Sequence, residues 1–371
     1  MTDEYFMLIA LKLAEKILGS VAPNPAVGCI IAKDGTVIGE GCTGVGGRPH
    51  AEMVALRNAR DSTYGATMYV TLEPCCHFGV TEPCTAEIAR AGIKRVVVAA
   101  IDPDIRVLGR GIKALKEAGI EVKQGIMQKE AEKLNIGFFT TQKLRRPFAA
   151  CKIATTLDGK IATFAGDSKW ITSKNTRNWV HELRAKYDAI MIGSNTLIND
   201  DPLLTCRLPK FKDRLPIRLI VDSQGKLREE HNIVKTADKV ETWVITNKKI
   251  EKKIKNIEYL LTNSNNVGKV CLKDMALKLV LEVGITRLLI EGGGILITEL
   301  LKHDLIDRLI ICRGGKILGN DGIPFIRNLK IKSINRCYQF QKVEIINFDQ
   351  DVIEIWDIKN HFSYETEYTR N

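Results

Sequence analysis

Four residues in the first third of the chain could together form a hydrolytic zinc site. His50 and Glu52 stand two positions apart, Cys75 follows Pro74, and Cys84 lies further on. An imidazole and two thiolates are common zinc ligands, and three protein ligands leave a coordination position open for water. Two positions apart on a helix, His50 and Glu52 point to different sides, so Glu52 is a poor second ligand and a good general acid and base. The pattern predicts zinc-dependent hydrolysis.

Spacing alone leaves two neighbouring residues open as ligands. The zinc deaminase signature, His-x-Glu and then Pro-Cys and a further Cys, normally closes with two residues between the cysteines. Here eight residues separate Cys75 from Cys84, so Cys76 and His77 are alternatives. Because adjacent cysteines cannot easily both face one metal ion, we assign Cys75, directly after Pro74, and interpret Cys76 as structural. We expect His77 to be available to the substrate.

The surrounding sequence predicts the elements that hold these residues. Hydrophobic spacing predicts helices over residues 5–18, 50–60 and 84–92, and strands over residues 27–31, 36–40, 67–72 and 95–101. Asp34-Gly35 is typical of a hairpin turn between the first two strands. Alternating strands and helices indicate an α/β domain. His50 and Cys84 then lie at the starts of helices. At the second of these, the helix dipole favours the thiolate form of Cys84.

The composition bounds the class of protein. The chain has 371 residues, of which 45% are hydrophobic and 27% charged, and its net charge is +11. This length predicts two globular domains, 1–145 and 146–371, joined by the basic segment 143–147. No apolar run is long enough to span a membrane, and the N-terminal residues are acidic where a signal peptide is basic. We therefore expect a cytoplasmic location and no membrane partner.

The positive charge does not concentrate around the zinc motif. Residues 1–145 carry nearly balanced charges, so most of the basic excess lies in the second half. A strongly basic nucleic-acid groove around the zinc residues is therefore not expected. The ten cysteines are expected to be reduced, since no export signal is present and Cys75 adjoins Cys76.

A glycine-rich turn is the clearest pattern of the second half. Residues 287–290 predict a strand, Glu291 to Gly294 a turn, and residues 295–301 a helix. Glycine lets backbone amides approach a phosphate, and a helix N-terminus adds partial positive charge. The pattern differs from the GxGxxG of a classical dinucleotide fold, so a plain structural turn remains the alternative. A buried strand is predicted over residues 148–154 and a tight turn over residues 157–160.

These motifs together resemble the bifunctional RibD family of riboflavin biosynthesis, in which a deaminase precedes a reductase. The first half carries the family motifs Pro23-Asn24-Pro25-Ala26-Val27-Gly28, Pro49-His50-Ala51-Glu52, Thr71-Leu72-Glu73-Pro74-Cys75, Pro83-Cys84, Asp102-Pro103 and Gly109-Arg110-Gly111. The long gap between the cysteines is typical of this family. The chain departs from it at Val80-Thr81-Glu82, usually a basic residue and Thr-Pro, and at Asp104-Ile105, usually Asn-Pro. We expect substrate contacts in these loops to differ.

The resemblance continues through residues 146–358. The motifs are Lys152-Ile153-Ala154-Thr155-Thr156-Leu157-Asp158-Gly159-Lys160-Ile161-Ala162, Gly166-Asp167-Ser168-Lys169-Trp170-Ile171-Thr172, Leu183-Arg184-Ala185, Asn199-Asp200-Asp201-Pro202-Leu203-Leu204-Thr205-Cys206-Arg207 and Glu291-Gly292-Gly293-Gly294. The resemblance implies that NADPH is contacted by Ala154, Trp170, Thr196, Asp200, Ser223, Gly293 and Gly294. It implies that the substrate is held by Ser168, Arg184, Leu204, Arg207 and Glu291.

Physical chemistry supports part of this assignment. Two arginines suit a ribose phosphate, which a guanidinium grips through two hydrogen bonds. Lys152 and Glu291 are the titratable residues expected near the sugar. Without the resemblance, Trp170 would be interpreted as core packing and Arg184 as one member of a surface ion pair.

The resemblance implies an N-terminal cytidine-deaminase-like three-layer α/β/α domain and a C-terminal dihydrofolate-reductase-like α/β domain. With His50, Cys75 and Cys84 as zinc ligands and Glu52 as proton carrier, the first domain would deaminate a diaminopyrimidine ribosyl phosphate. The second would use NADPH to reduce the ribosyl group. The expected partner is therefore a small phosphorylated pyrimidine and not nucleic acid, and the default assembly is an even-numbered homo-oligomer.

Two other classes of function remain as alternatives. One is a nucleic-acid deaminase with a basic accessory domain, which the deaminase motif and the net charge suggest. The other is a non-catalytic binding module that zinc stabilises.

Overall fold

The computed structural model describes residues 1–79, 82–211 and 213–359. The chain divides into two compact units, Met1–Arg146 and a second that begins at Pro147, one residue from the boundary expected from the basic segment. Among the described residues, every helix is too short or too polar to traverse a lipid bilayer.

A five-stranded sheet in the order β2-β1-β3-β4-β5 organises the first unit. The strands are β1 (Gly28–Lys33), β2 (Thr36–Cys42), β3 (Thr67–Leu72), β4 (Arg95–Ala100) and β5 (Glu121–Gln124). β1 is antiparallel to β2 and β3, whereas β3, β4 and β5 are parallel. The predicted hairpin turn is confirmed, since Asp34 and Gly35 both have the positive φ, 51° and 78°, of a two-residue turn.

Six α-helices lie in the described part of the first unit. They are α1 (Asp3–Glu15), α2 (Ala51–Ala59), α3 (Cys84–Arg90), α4 (Arg110–Glu117), α5 (Gln128–Leu134) and α6 (Ile136–Leu144). The predicted extent of the first helix is wrong at its end, because α1 stops at Glu15. The chain then continues in tight turns, with the amide of Leu18 donating to the carbonyl of Glu15, as far as Gly19.

Glycines in β2 bring α2 against the sheet. A Cβ atom on Gly39 would lie 2.5 Å from the carbonyl oxygen of Ala55, and one on Gly41 would lie 2.4 Å from that of Ala51. No larger residue fits at either position, so the backbone of α2 rests directly on β2. This contact sets the position of the helix start, where His50 lies.

A nine-stranded sheet forms the centre of the second unit, in the order β11-β10-β9-β8-β12-β6-β13-β16-β15. Its strands are β6 (Phe148–Thr155), β8 (Ala189–Gly193), β9 (Ile217–Val221), β10 (Thr242–Thr246), β11 (Glu258–Leu261), β12 (Arg287–Ile290), β13 (Arg308–Arg313), β15 (Phe340–Phe348) and β16 (Asp351–Ile358). The strands from β11 to β13 are parallel, and β16 and β15 add antiparallel to that edge. The strands predicted over residues 148–154 and 287–290 are confirmed.

The remaining elements of the second unit cover this sheet and its ends. The helices are α7 (Lys174–Arg184), α8 (Ser194–Asp200), α9 (Asn232–Lys235), α10 (Leu272–Leu281) and α11 (Gly294–Lys302), and a small separate sheet pairs β7 (Lys160–Ala162) with β14 (Ile323–Pro324). Parallel strands need helices on both faces, which explains the continuous burial of Ala189, Ile190, Met191 and Ile192 in β8.

Two candidate active sites

The three residues assigned as zinc ligands come together in the first unit. His50 immediately precedes α2, Cys75 lies in the loop after β3, and Cys84 is the first residue of α3. Their ligand atoms all lie within 4.8 Å of one another. Nδ1 of His50 is 3.3 Å from Sγ of Cys84 and 3.6 Å from Sγ of Cys75. One imidazole nitrogen and two sulfurs at these separations fit a zinc ion with one open position.

The surroundings of Cys75 favour its thiolate. The amide of Cys84, at the N-terminus of α3, lies 3.4 Å from Sγ of Cys75 and donates to it. A hydrogen bond from the Cys84 thiol lowers the pKa of Cys75, and so does His50. These effects outweigh burial, which would raise the pKa, and bring it to about 4. The same thiol pair and burial raise the pKa of Cys84. The pair therefore contains one acidic thiol, which is the property that a zinc ligand needs.

Glu52 lies in the first turn of α2 and is only 4% exposed. Burial raises the pKa of its carboxyl group, partly offset by the positive charge of His50. The carboxyl group is also close enough to Cys84 to share a hydrogen bond with its thiol. A buried carboxyl group beside the ligands, with a raised pKa, suits proton transfer near neutral pH.

The two neighbouring residues left open by spacing differ in their contacts. Sγ of Cys76 lies 3.8 Å from the carbonyl oxygen of Arg106 and donates to it. Nδ1 of His77 is buried and has no hydrogen-bond partner among the described residues. Burial raises the pKa of the Cys76 thiol. Of the two adjacent cysteines, Cys75 is the one that lies with His50 and Cys84.

The loop positions that depart from the family pattern are engaged in local ion pairs. The carboxylate of Asp104 accepts hydrogen bonds from the guanidinium and the amide of Arg106. Glu82 forms an exposed salt bridge with Arg90 over 3.0 Å. Val80 and Thr81 lie outside the described residues.

A buried charge cluster marks the second site. The guanidinium of Arg184 donates to both carboxylate oxygens of Glu291, over 2.5 and 3.1 Å, and to the carbonyl oxygen of Thr205 over 2.9 Å. Nζ of Lys152 lies 3.5 Å from Glu291. The side chains of Arg184 and Glu291 are 13% and 9% exposed, so the surface ion pair weighed for Arg184 is wrong. Arg184 is held by the protein itself, and Arg207 is exposed.

Most of the residues assigned to NADPH lie at or just after the carboxyl ends of adjacent parallel strands. Ala154 is near the end of β6, Thr196 and Asp200 lie in α8 after β8, Ser223 follows β9, and Gly293 follows β12. These four strands are neighbours in the order β9-β8-β12-β6. Nucleotides bind to open α/β sheets at this edge. The topology therefore gathers the assigned residues along one edge of the sheet.

The glycine turn has two different roles. The amide of Gly293 donates to Oγ1 of Thr196 over 3.2 Å, and its Cα faces open space apart from that hydroxyl group. A Cβ on Gly294, by contrast, would lie 2.8 Å from the carbonyl oxygens of Pro324 and Phe325. Gly294 is thus required by close packing at the start of α11, whereas Gly293 leaves room for a ligand.

Other assigned residues differ in exposure. Trp170 is 59% exposed, with the guanidinium of Arg177 lying 4.4 Å from the centre of its ring, so the alternative of core packing is wrong. Ser168 is half-buried, and Asp200 is exposed. Oγ of Ser223 accepts a hydrogen bond from the amide of Val270 over 3.1 Å.

Two residues of the second site escaped sequence reasoning. Nδ1 of His181 lies 3.2 Å from the carbonyl oxygen of Thr205, and burial, Arg184 and Arg207 lower its pKa. Arg218 is fully buried in β9 and donates to five oxygens, among them the carbonyl oxygen of Leu203. The sequence did contain a signal for Arg218, because it is the one charged residue within the apolar segment 217–221.

Leu204 lies in the segment that these two residues hold. Its side chain is 4% exposed and its φ is 51°, an uncommon backbone conformation for a leucine. Arg218 binds the preceding carbonyl group, and Arg184 and His181 bind the following one. The segment that carries Leu204 and Arg207 is therefore anchored on both sides of Leu204.

The charge cluster predicts a pH dependence of stability. Burial would raise the pKa of Glu291, but Arg184 and Lys152 outweigh it and lower the pKa to about 2, from 4.5 for an unperturbed Glu. A lowered pKa stabilises the fold above pH 4.5, and this contribution is lost as the pH falls from 4.5 towards 2. The difference corresponds to a contribution on the order of 3 kcal/mol.

Glu291→Gln should remove this pH dependence. All four Trp residues of the chain lie in the second unit, so Trp fluorescence follows the unfolding of that unit. The measurement is denaturant unfolding of both proteins between pH 5 and about 2. Equal slopes of unfolding free energy against pH for the two proteins would contradict the assignment.

Comparisons with known proteins extend over both units. The family model described as "Cytidine and deoxycytidylate deaminase zinc-binding region" matches residues 1–100, and the one described as "RibD C-terminal domain" matches residues 147–353. The riboflavin biosynthesis protein RibD of Aquifex aeolicus is 41% identical over 355 residues, 95% of this chain and 97% of that protein.

Solved structures give the same result. RibD of Acinetobacter baumannii, form 1, has 35% sequence identity and a TM-score of 0.88, with 96% of this chain and 99% of that chain covered. A diaminohydroxyphosphoribosylaminopyrimidine deaminase/5-amino-6-(5-phosphoribosylamino)uracil reductase of Thermotoga maritima has 35% identity, the same coverage and a TM-score of 0.85. The two domain types expected from the sequence are confirmed.

Proposed function

The chain belongs to the RibD family of bifunctional deaminases and reductases of riboflavin biosynthesis, and on this premise we propose which residues perform each step. Its cofactors are those of the family, zinc for the deaminase and NADPH for the reductase. The observation that carries the proposal is the meeting of His50, Cys75 and Cys84 beside the buried carboxyl group of Glu52.

The deaminase substrate is 2,5-diamino-6-(5-phosphoribosylamino)pyrimidin-4-one. His50, Cys75 and Cys84 hold the metal, and the chemistry that zinc supplies when bound is to lower the pKa of a water molecule towards ~7. Glu52 accepts the proton of this water as its oxygen bonds to the ring carbon that bears the 2-amino group. Glu52 passes this proton to the adjacent ring nitrogen, then takes the proton of the newly bound hydroxyl group and delivers it to the amino group, so that ammonia leaves and a carbonyl group remains.

The reductase acts on the ribosyl group of the deaminated product. When bound, NADPH would supply the hydride for C1′, and a proton must reach the ring oxygen as the sugar opens to a ribityl chain. Lys152, held 3.5 Å from Glu291, is our candidate for the group that supplies this proton. Arg207, exposed at the end of the anchored segment, is the stronger candidate to bind the phosphate, because the guanidinium of Arg184 already binds Glu291.

Partners and assembly complete the proposal. The substrate is a free phosphorylated pyrimidine, so no nucleic-acid partner is needed. An even-numbered homo-oligomer and a cytoplasmic location remain predictions from the sequence.

A coupled assay tests the proposed function. The purified protein should contain one zinc ion per chain, release ammonia from the diaminopyrimidine phosphate and then consume NADPH. Removal of zinc by a chelator should stop ammonia release but leave NADPH consumption on the deaminated compound unchanged, because the two sites lie in different units. Tight RNA or DNA binding without NADPH consumption would contradict the proposal.

Arg207→Ala tests the phosphate assignment. We expect the KM for the deaminated substrate to rise about 10- to 100-fold, the worth of a charge-assisted hydrogen bond to phosphate. The KM for NADPH should stay within about two-fold. Lys210→Ala is a matched control, since Lys210 is exposed in the same segment and pairs with Glu182 over 2.7 Å. Equal losses of substrate and NADPH affinity would count against the assignment.

A further inference from the structure

A buried carboxylate lies two positions before the zinc ligand Cys75. Glu73 is 3% exposed and accepts three backbone hydrogen bonds. Oε2 accepts from the amides of Asp102 and Gly109, over 3.2 and 2.9 Å, and Oε1 accepts from the amide of Ile112 over 3.1 Å. One side chain thus ties the end of β3 to the loop after β4 and to the start of α4.

Glu73 replaces a cap that α4 lacks. The residue before this helix is Gly109, which has no side chain to accept from the first amides of the helix. These amides need an acceptor, and a negative charge at a helix N-terminus is favourable. The amide of Ile112, at the third position of the helix, is one of the two that a capping side chain usually binds, and Glu73 binds it from a distant part of the chain.

The start of α4 also touches the peptide that leads into Cys75. A Cβ on Gly111 would lie 2.1 Å from the carbonyl oxygen of Pro74 and 3.1 Å from Cγ of Glu73. Only glycine allows this approach. The segment from Glu73 to Cys75 is therefore held by hydrogen bonds on one side and by direct packing against α4 on the other.

We propose that Glu73, by binding the start of α4, is a positioning residue that sets the place of Cys75 in the zinc site. This inference rests on the proposed function, since it requires Cys75 to bind zinc. It also links three of the sequence motifs, because Glu73 accepts hydrogen bonds from the amides of Asp102 and Gly109 and packs against Gly111. Support of this kind around a ligand typically affects metal affinity by about 10- to 100-fold.

Glu73→Gln is the first test. The glutamine has the same shape, but its NH₂ group cannot accept, so at least one of the three amides loses its acceptor. We expect zinc affinity, measured by competition with a chromophoric chelator, to fall about 10- to 100-fold. The sulfur-to-metal absorption bands of the Co²⁺-loaded protein should also shift, because the Cys75 sulfur moves relative to the metal. A purely structural role would leave these bands unchanged.

Asp3→Asn is the matched control. Asp3 is a half-buried carboxylate of the same unit, but it binds Arg95, the first residue of β4, whereas Asp102 follows the other end of that strand. We expect this variant to be less stable, with wild-type zinc affinity and an unchanged Co²⁺ spectrum.

Gly111→Ala is the second test, and it becomes the deciding variant for the positioning role of Glu73 if Glu73→Gln does not fold. It keeps the carboxylate but crowds the carbonyl group of Pro74, so zinc affinity should fall here too. If Glu73→Gln folds and keeps wild-type zinc affinity and an unchanged Co²⁺ spectrum, the inference is overturned and the proposed function stands. If Glu73→Gln does not fold, the same result in Gly111→Ala has the same meaning. Failure of the wild-type protein to bind zinc would overturn both.

Discussion

Glu52→Gln should abolish ammonia release while the protein keeps its zinc. The amide has the same shape as the carboxylate but cannot carry a proton between the attacking water and the departing amino group. Loss of a general acid and base costs about 10²- to 10⁴-fold in rate. Zinc content should stay at one ion per chain, because the proposed ligand atoms belong to His50, Cys75 and Cys84.

The second unit provides an internal control for this variant. Reduction of the already deaminated substrate should proceed at the wild-type rate. Glu117→Gln, an exposed substitution in α4, should leave both activities unchanged. Loss of bound zinc from Glu52→Gln would count heavily against the role of Glu52 as proton carrier.

Arg184→Ala should destabilise the second unit strongly and abolish reduction. It leaves the carboxylate of Glu291 buried with only Lys152, 3.5 Å away, and removes the donor to the carbonyl group of Thr205. Removing one partner of a buried ion pair costs about 3–5 kcal/mol of unfolding free energy. Denaturant unfolding followed by Trp fluorescence measures this loss for the second unit.

Arg313→Ala is the control for a less buried pair in the same sheet. Arg313 binds Glu354 over 2.8 Å, with the two side chains 29% and 18% exposed. Its removal should cost about 1 kcal/mol or less, since water screens such pairs. Equal losses in the two variants would show that the Arg184–Glu291 pair has no special role in the second site.

Much of the local structure was predictable from neighbouring residues. The Asp34-Gly35 turn, the strands β3 and β12 and the start of α3 follow from hydrophobic spacing and from residues that favour turns. Such patterns depend on residues that are close together in the sequence, so distant contacts change the resulting elements little. The end of α1 was the exception, because the tight turns from Glu15 to Gly19 keep a similar apolar spacing.

The residue types of the zinc site were also predictable, since few combinations of His, Glu and Cys serve other chemistry. The contacts that support them were not. Glu73 binds amides 36 and 39 positions away, and Arg184 binds a carboxylate 107 positions away. Nothing in the residues next to Glu73 distinguishes a cap for α4 from an exposed carboxylate.

The amino-acid sequence by itself therefore determined the local helices and strands, the candidate ligands and the family resemblance. The folded chain alone revealed that Arg184 is occupied by Glu291, that Gly294 is needed for packing, and that Glu73 joins the end of β3 to the start of α4. The physical reason is that propensity and hydrophobic spacing are local properties. The partner of a buried charge, or the atom that forbids a Cβ, comes from a segment that only folding brings near.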